Sequence, residues 1–238
     1  MNLENYTRLK DDIVVFDNFL TQEECESVLK YWEHCVENKS LNWDPISFYE
    51  SYASNLPDTD DMEKFGLPRD FFKNLESSIQ EATGIARGKG VKKVSYHAQK
   101  WIPGAFASFH SDNSTDGEYN AFERSRWATF LYLNDDFVGG KLNFKDHDIA
   151  IQPKSGMLAA FAGGHENEHE VQVVEDGNRF TIGSFWDYEE SEYPQEKWDQ
   201  WEEEIRLIRE QQAVQQKEWS DLRDKGERLA PPPNTGGY

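Results

Sequence analysis

His110, Asp112 and His169 are residue types that can hold a metal together, and Arg179 lies close behind them in the chain. His110-Ser111-Asp112 stands at the end of a predicted strand, Phe106–His110. Alternate residues of a strand share a face, so the His110 imidazole and the Asp112 carboxylate can turn into one interior. A second imidazole would complete a facial set of two histidines and one carboxylate, which holds a divalent transition metal and leaves positions open. His-x-Asp alone is weak evidence, because Ser111-Asp112-Asn113-Ser114 reads equally well as a surface turn.

His169 is the candidate for that second imidazole. It opens an alternating segment that runs to Val174, meets a turn at Asp176-Gly177-Asn178, and continues as Arg179-Phe180-Thr181-Ile182. This pattern predicts a hairpin with Arg179 on the strand next to His169 and in the same cavity. A 2-oxo acid can chelate such a metal through two open positions, with O2 in the third. Its remote carboxylate then needs a fixed cation, and a guanidinium offers a planar bidentate fork. Arg179 reads otherwise as a plain hairpin arginine at the surface.

His165-Glu166-Asn167-Glu168-His169 also spells H-E-x-x-H, the pattern of zinc proteases. That chemistry needs a helix, so that both histidines share a side. Gly163-Gly164 before the motif and strand alternation after it argue against a helix. His165 is expected in a loop near the cavity mouth.

The elements that must position these groups follow from periodicity. Ile13–Phe16 lies in a short predicted strand. Thr21-Gln22-Glu23-Glu24 has the capping-box form and opens a helix whose apolar face carries Val28, Leu29, Trp32 and Val36. A second helix follows Pro68, carries Phe71, Phe72, Leu75 and Ile79, and is expected to end near Gly84. From Val94 to Trp186, short apolar runs alternate with Gly, Asp and Asn turns, the texture of a jelly roll or barrel. The expected organisation is α+β with a mainly β core: residues 1–93 supporting, 94–188 forming the core, and 189–238 an acidic helical extension with a Pro/Gly tail. Trp198, Trp201, Ile205, Ile208, Trp219 and Leu222 mark a helical seam that either dimerises or lies on its own domain.

The chain has 238 residues and a formal net charge of -20, from 25 basic and 45 acidic residues. No clustered Lys/Arg footprint is visible, so nucleic acid is not the expected partner. No apolar stretch of about 20 residues would span a membrane. Cys25 and Cys35 would stand about 15 Å apart on one helix, too far for a disulfide, so the expected setting is reducing and cytoplasmic.

Taken together, the pieces resemble Fe(II)- and 2-oxoglutarate-dependent oxygenases of the prolyl 4-hydroxylase type. The resemblance runs over most of residues 12–186. It is carried by the Ile13–Cys25 entry, Trp101-Ile102-Pro103-Gly104, His110-Ser111-Asp112, Arg126–Asn134, Gly139–Phe144, Ile151–Gly156, and His169, Val173, Gly177 and Arg179. It implies a double-stranded β-helix, Fe(II) on His110, Asp112 and His169, and 2-oxoglutarate and O2 as co-substrates, often supported by ascorbate. The implied reaction hydroxylates an unactivated C–H bond, of a peptidyl proline or another peptide or small-molecule substrate, and releases succinate and CO2. Trp101 stands where the family commonly has Tyr, so Thr129 or Tyr132 is the expected replacement donor toward the co-substrate. Phe109, Phe130, Leu142 and Phe144 are expected to wall the cavity, and residues 113–125 and 43–52 are candidate lids. A non-catalytic binding module with the same fold is the remaining alternative.

Overall fold

The structure, a computed structural model, describes residues 1–41, 43–46, 51–54, 56, 60–113 and 122–224. The chain enters through a hairpin, β1 (Tyr6–Lys10) and β2 (Ile13–Phe16). Helix α1 (Gln22–Glu37) starts at the expected capping box: the Thr21 side chain accepts from the Glu24 amide, and the Glu24 carboxylate accepts from the Thr21 N–H. After β3 (Asp44–Ile46) and β4 (Ser51–Ser54) comes α2 (Phe71–Arg87). It runs through Gly84 rather than ending there. Its apolar face continues to the buried Ala86, and the left-handed Gly88 ends it.

The core strands are β5 (Val91–Trp101), β6 (Ala107–His110), β7 (Trp127–Tyr132), β8 (Val138–Gly139), β9 (Leu142–Phe144) and β10 (Ile149–Ile151). They continue as β11 (Leu158–Ala162), β12 (His169–Val171), β13 (Val174–Asp176) and β14 (Arg179–Tyr188), and α3 (Gln195–Asp224) follows. The large sheet runs β1-β2-β11-β7-β14-β5-β4-β3, and the small one runs β10-β9-β12-β6. This is the double-stranded β-helix. The large sheet is apolar on both faces, as a covered sheet must be. One face buries Val14, Leu131, Ile182 and Trp186 with Val28, Trp32, Leu75 and Ile79 of the two helices. The other turns Val15, Ala128, Tyr132 and Phe161 toward Leu142, Phe144 and Val171 of the small sheet. Each large side chain sealed this way contributes about 1.5–3 kcal/mol.

The segment from His169 to Arg179 is not the expected hairpin. It breaks at Gln172, whose N–H donates to Lys141 O, and at Val173, whose carbonyl accepts from the Gly140 N–H. These neighbours hold the chain between sheets. β12 belongs to the small sheet, β13 pairs with β8, and β14 lies in the large sheet. His169 and Arg179 therefore sit on facing walls of one interior.

No helix among the described residues is long and apolar enough to cross a membrane. Cys25 and Cys35 are both buried and free, as their spacing implied.

Candidate metal centre

Strand register brings the two imidazoles together. His169 of β12 pairs directly with His110 of β6, and their ring centroids lie 4.4 Å apart. Each ring is oriented by a backbone carbonyl: His110 Nδ1–H donates to Ser108 O at 2.7 Å, and His169 Nδ1–H donates to Asn167 O at 3.0 Å. Carbonyl oxygens only accept, so both protons sit on Nδ1, and both Nε2 atoms carry the lone pair. Those Nε2 atoms each lie 3.7 Å from the Asp112 carboxylate, one at each oxygen. Asp112 follows β6 in a bend and does not belong to the strand. One ligand atom from each of the three residues lies within 4.8 Å of the others.

Burial sets the protonation of this cluster. It pushes the Asp112 carboxyl up to about 6, against a smaller opposing pull from His110. It pushes His169 down to about 4 and lowers His110 as well, with His169 adding to the latter. Asp112 Oδ2 is buried without a hydrogen-bond donor. A buried carboxylate left this way is costly unless a cation meets it. Two neutral imidazoles and one carboxylate are the donors a divalent Fe site takes.

Gly163 holds the Asp112 bend in place. Asn113 N–H donates to Gly163 O at 2.8 Å, and Gly163 N–H donates to Arg126 O at 2.9 Å. A Cβ on Gly163 would stand 2.5 Å from Ser125 O and 3.1 Å from Asp112 Cβ. Only glycine lets the chain before β7 pass this close to the ligand.

Across the interior, Arg179 is 1% exposed. Its guanidinium carbon lies 5.1 Å from the Trp101 ring centre and 5.0 Å from that of Tyr132. Nε and Nη1 are buried and unpartnered, and no carboxylate among the described residues forms an ion pair with it. Burial weakens its hold on its proton, while the Tyr132 oxygen opposes that effect. Gly140, at φ +62, leaves the room it needs: a Cβ there would lie 3.1 Å from Arg179 Cδ. A buried cation flanked by aromatic faces, with donors unspent, is built to receive an anion from outside the chain.

The structure thus brings together His110, Asp112 and His169, and gathers Arg179, Trp101 and Tyr132. Thr129 is a correction. It lies on the opposite face of β7 from Tyr132, where its hydroxyl accepts from Trp186 Nε1 at 2.9 Å and donates to Ser184 O. It faces the helices and not the cavity. Phe109 is 38% exposed and walls nothing. Phe144, an expected wall, lines the site together with Phe161, with ring centres 5.9 and 4.7 Å from His169. Phe161 was missed among the apolar walls. His165–Asn167 forms one 3-10 turn, which removes the helix that a zinc-protease motif requires, and His165 Nδ1 stands 3.5 Å from Glu168.

Of the two candidate lids, residues 114–121 and 47–50 lie outside the described residues. The other end of the 113–125 stretch is gripped by α3. Lys197 pairs with Glu123, and the Arg124 guanidinium carbon stacks 4.3 Å over Trp198. Trp201 is buried against Tyr193 at 4.8 Å. The start of α3 therefore lies on its own domain, while the side chains of Ile208, Trp219 and Leu222 fall outside the described residues. The inward polar residues His97, Gln99 and Thr181 were also missed, although their two-residue spacing from Trp101 and Arg179 marks the shared face.

The 2OG-Fe(II) oxygenase superfamily model matches residues 96–187. That match spans less than half of the chain, and over it the chain is similar to this superfamily. The chain is 26% identical over 155 residues to 2-oxoglutarate and iron-dependent oxygenase domain-containing protein 3 of Xenopus tropicalis, covering 58% of this chain and 45% of that one. Human prolyl 3-hydroxylase 2 is 35% identical over 86 residues, covering 31% of this chain and 12% of the relative. The chain thus spans under half the length of these curated relatives. Among solved structures, a Pseudomonas putida prolyl-4-hydroxylase superposes with TM-score 0.56 at 18% identity, covering 74% of this chain and 92% of that one. A Trichoplax adhaerens prolyl hydroxylase, solved with a hypoxia inducible factor peptide fragment, gives TM-score 0.57 at 14% identity, over 76% and 85% of the two chains. At these identities the structural likeness shows the fold alone.

Proposed function

We propose that the chain is an Fe(II)- and 2-oxoglutarate-dependent oxygenase that hydroxylates an unactivated C–H bond in a peptide, with peptidyl proline as the leading substrate. The observation that carries this reading is the pairing of a preoriented His110–Asp112–His169 cluster with a buried, anion-ready Arg179 in one interior. Fe(II) held there supplies coupled oxidation: one atom of O2 enters the C–H bond, and the other enters the succinate formed as 2-oxoglutarate loses CO2.

The chain's own residues do the rest. His110 and His169 present Nε2 lone pairs because Ser108 O and Asn167 O hold their protons on Nδ1. Asp112 supplies the negative charge that a divalent cation needs. Arg179 would take the far carboxylate of the co-substrate through its guanidinium N–H donors, Nε and Nη1 being unpartnered, with the Trp101 and Tyr132 rings keeping the group dry. Phe130, Phe144 and Phe161 exclude water around the reacting centre.

The names of the relatives support a prolyl substrate, and the peptide bound to the Trichoplax neighbour supports a peptide over a free amino acid. Two buried free thiols support a reducing compartment. Succinate release from 2-oxoglutarate under Fe(II), with mass spectrometry of proline peptides for a +16 Da product, tests the reading. Turnover that persists in His110→Ala or Asp112→Ala sinks the triad, and turnover with no oxidised peptide sinks the substrate class.

A further inference from the structure

The inward face of the large sheet can be read in rows across the strands. Trp101 pairs with Arg179, and Gln99 with Thr181, which in turn pairs with Tyr132. The next row holds His97, Gly183, Phe130, Ala159 and Val15, and the row after it holds Phe185, Ala128, Phe161 and Ile13. Arg179 thus anchors one end, and Phe161, packed on His169, marks the metal's end. Among the described residues, His97 is the only polar side chain of its row between β5 and β2, beyond which lies the exposed Thr7 of β1, and it sits toward the metal's end.

His97 is held rather than loose. Thr181 Oγ1 donates to Gln99 Oε1 at 3.0 Å, and the Gln99 amide nitrogen donates to His97 Nε2 at 3.1 Å. The ring stacks on Phe185 at 6.3 Å and 24°. Gly183 makes this possible, since a Cβ there would press on the Gln99 amide at 3.2–3.3 Å. With Nε2 accepting, the ring proton sits on Nδ1. Burial pushes its pKa down to about 4, so the imidazole is neutral at neutral pH and its remaining group is an N–H donor.

We infer that Thr181, Gln99 and His97 form a donor relay on the substrate side of the reaction chamber, in which His97 Nδ1–H positions a neutral carbonyl acceptor such as a peptide amide oxygen. The inference rests on the proposed metal centre. The acceptor belongs to the substrate and not to 2-oxoglutarate, because Arg179 fixes the far end of the co-substrate two rows away. A neutral donor selects an acceptor and gives no advantage to a cation. His97 is a positioning residue here and does not ligate the metal.

The test uses the full chain labelled with 15N-histidine. Mn(II), against a Zn(II) control, broadens the ring signals of His110, His169 and His97 if all three border one chamber. Broadening of His110 and His169 without His97 overturns the relay and leaves the metal centre standing, whereas no broadening at all overturns the metal centre itself. N-acetylproline methylamide, added to the Zn(II)–2-oxoglutarate protein, shifts the His97 ring signals. Its dissociation constant rises about tenfold in His97→Leu, as for one lost hydrogen bond, and recovers to within about threefold in His97→Gln, whose amide still donates. The Km for 2-oxoglutarate stays within about twofold in both variants. An unshifted His97 ring overturns the proposal, and so does a tenfold rise in the 2-oxoglutarate Km in His97→Leu.

Discussion

Replacing Arg179 by methionine should make the ligand-free protein more stable and nearly blind to 2-oxoglutarate. The guanidinium is 1% exposed, leaves Nε and Nη1 unpartnered, and faces two aromatic rings. Desolvating a lone cation costs several kcal/mol. The rings of Trp101 and Tyr132 offset about 1–2 kcal/mol each. Methionine keeps an unbranched stem in the space that Gly140 leaves open, so little cavity forms. The net expectation is a gain of about 1–3 kcal/mol, or a Tm higher by roughly 3–10 °C for a chain of this size. Binding moves the other way. Two charge-assisted hydrogen bonds to a carboxylate are worth about 1.5–3 kcal/mol each, so the 2-oxoglutarate Kd should rise by about 10²- to 10⁴-fold. Differential scanning calorimetry without ligand and titration calorimetry of the Zn(II) form read the two effects. A destabilised Arg179→Met protein with unchanged 2-oxoglutarate affinity would refute the assignment of Arg179 as an unpaired anion anchor.

The remaining predictions concern the supports of the site. Gly163→Ala should cost about 1–3 kcal/mol of stability from overpacking and weaken Mn(II) binding at least tenfold, since the new methyl presses on Ser125 O and the Asp112 side chain; wild-type affinity in equilibrium dialysis would count against this. Metal uptake should lose strength as pH falls below about 6, because Asp112 must then shed a proton, while His169, held near 4, does not compete; a flat affinity from pH 8 to 5 is the contrary result. In the metal-free protein, the raised Asp112 carboxyl favours the fold below about pH 4, and that contribution is lost as pH rises through 6. His97 and His169 act oppositely: their lowered values favour the fold above about 6.5, and this is lost as pH falls through 4. His97→Leu should therefore flatten acid unfolding between pH 6.5 and 4, as followed by circular dichroism. Trp201→Ala removes the buried anchor of α3 and should cost about 3–5 kcal/mol; an unchanged Tm would show that the helix lies off the core.

The candidate ligands His110 and Asp112 were legible in the sequence because their spacing is local. His-x-Asp occupies two positions of one short stretch, and the capping box at Thr21 was equally explicit. The route between His169 and Arg179 was not legible. A turn at Asp176-Gly177-Asn178 looks the same whether the flanking strands pair with each other or with two different sheets. The choice is made by Lys141 O and the Gly140 N–H, which only tertiary structure brings to Gln172 and Val173. Thr129 was misplaced for a similar reason. A strand buried on both faces carries no alternation to say which face is inward, and its burial runs unbroken through Trp127–Thr129. His97 and Gln99 had a signal, the two-residue period back from Trp101, but a half-buried histidine in a strand declares no purpose until its partners Gln99 and Phe185 are in view.

Metal stoichiometry is the most direct measurement of the site. Anaerobic titration of the metal-free protein with Fe(II), followed by dialysis and metal analysis, should give one Fe(II) per chain, with binding lost in Asp112→Ala and His169→Ala and retained in His165→Ala. Full binding in Asp112→Ala, or loss in His165→Ala, would contradict a centre built on His110, Asp112 and His169.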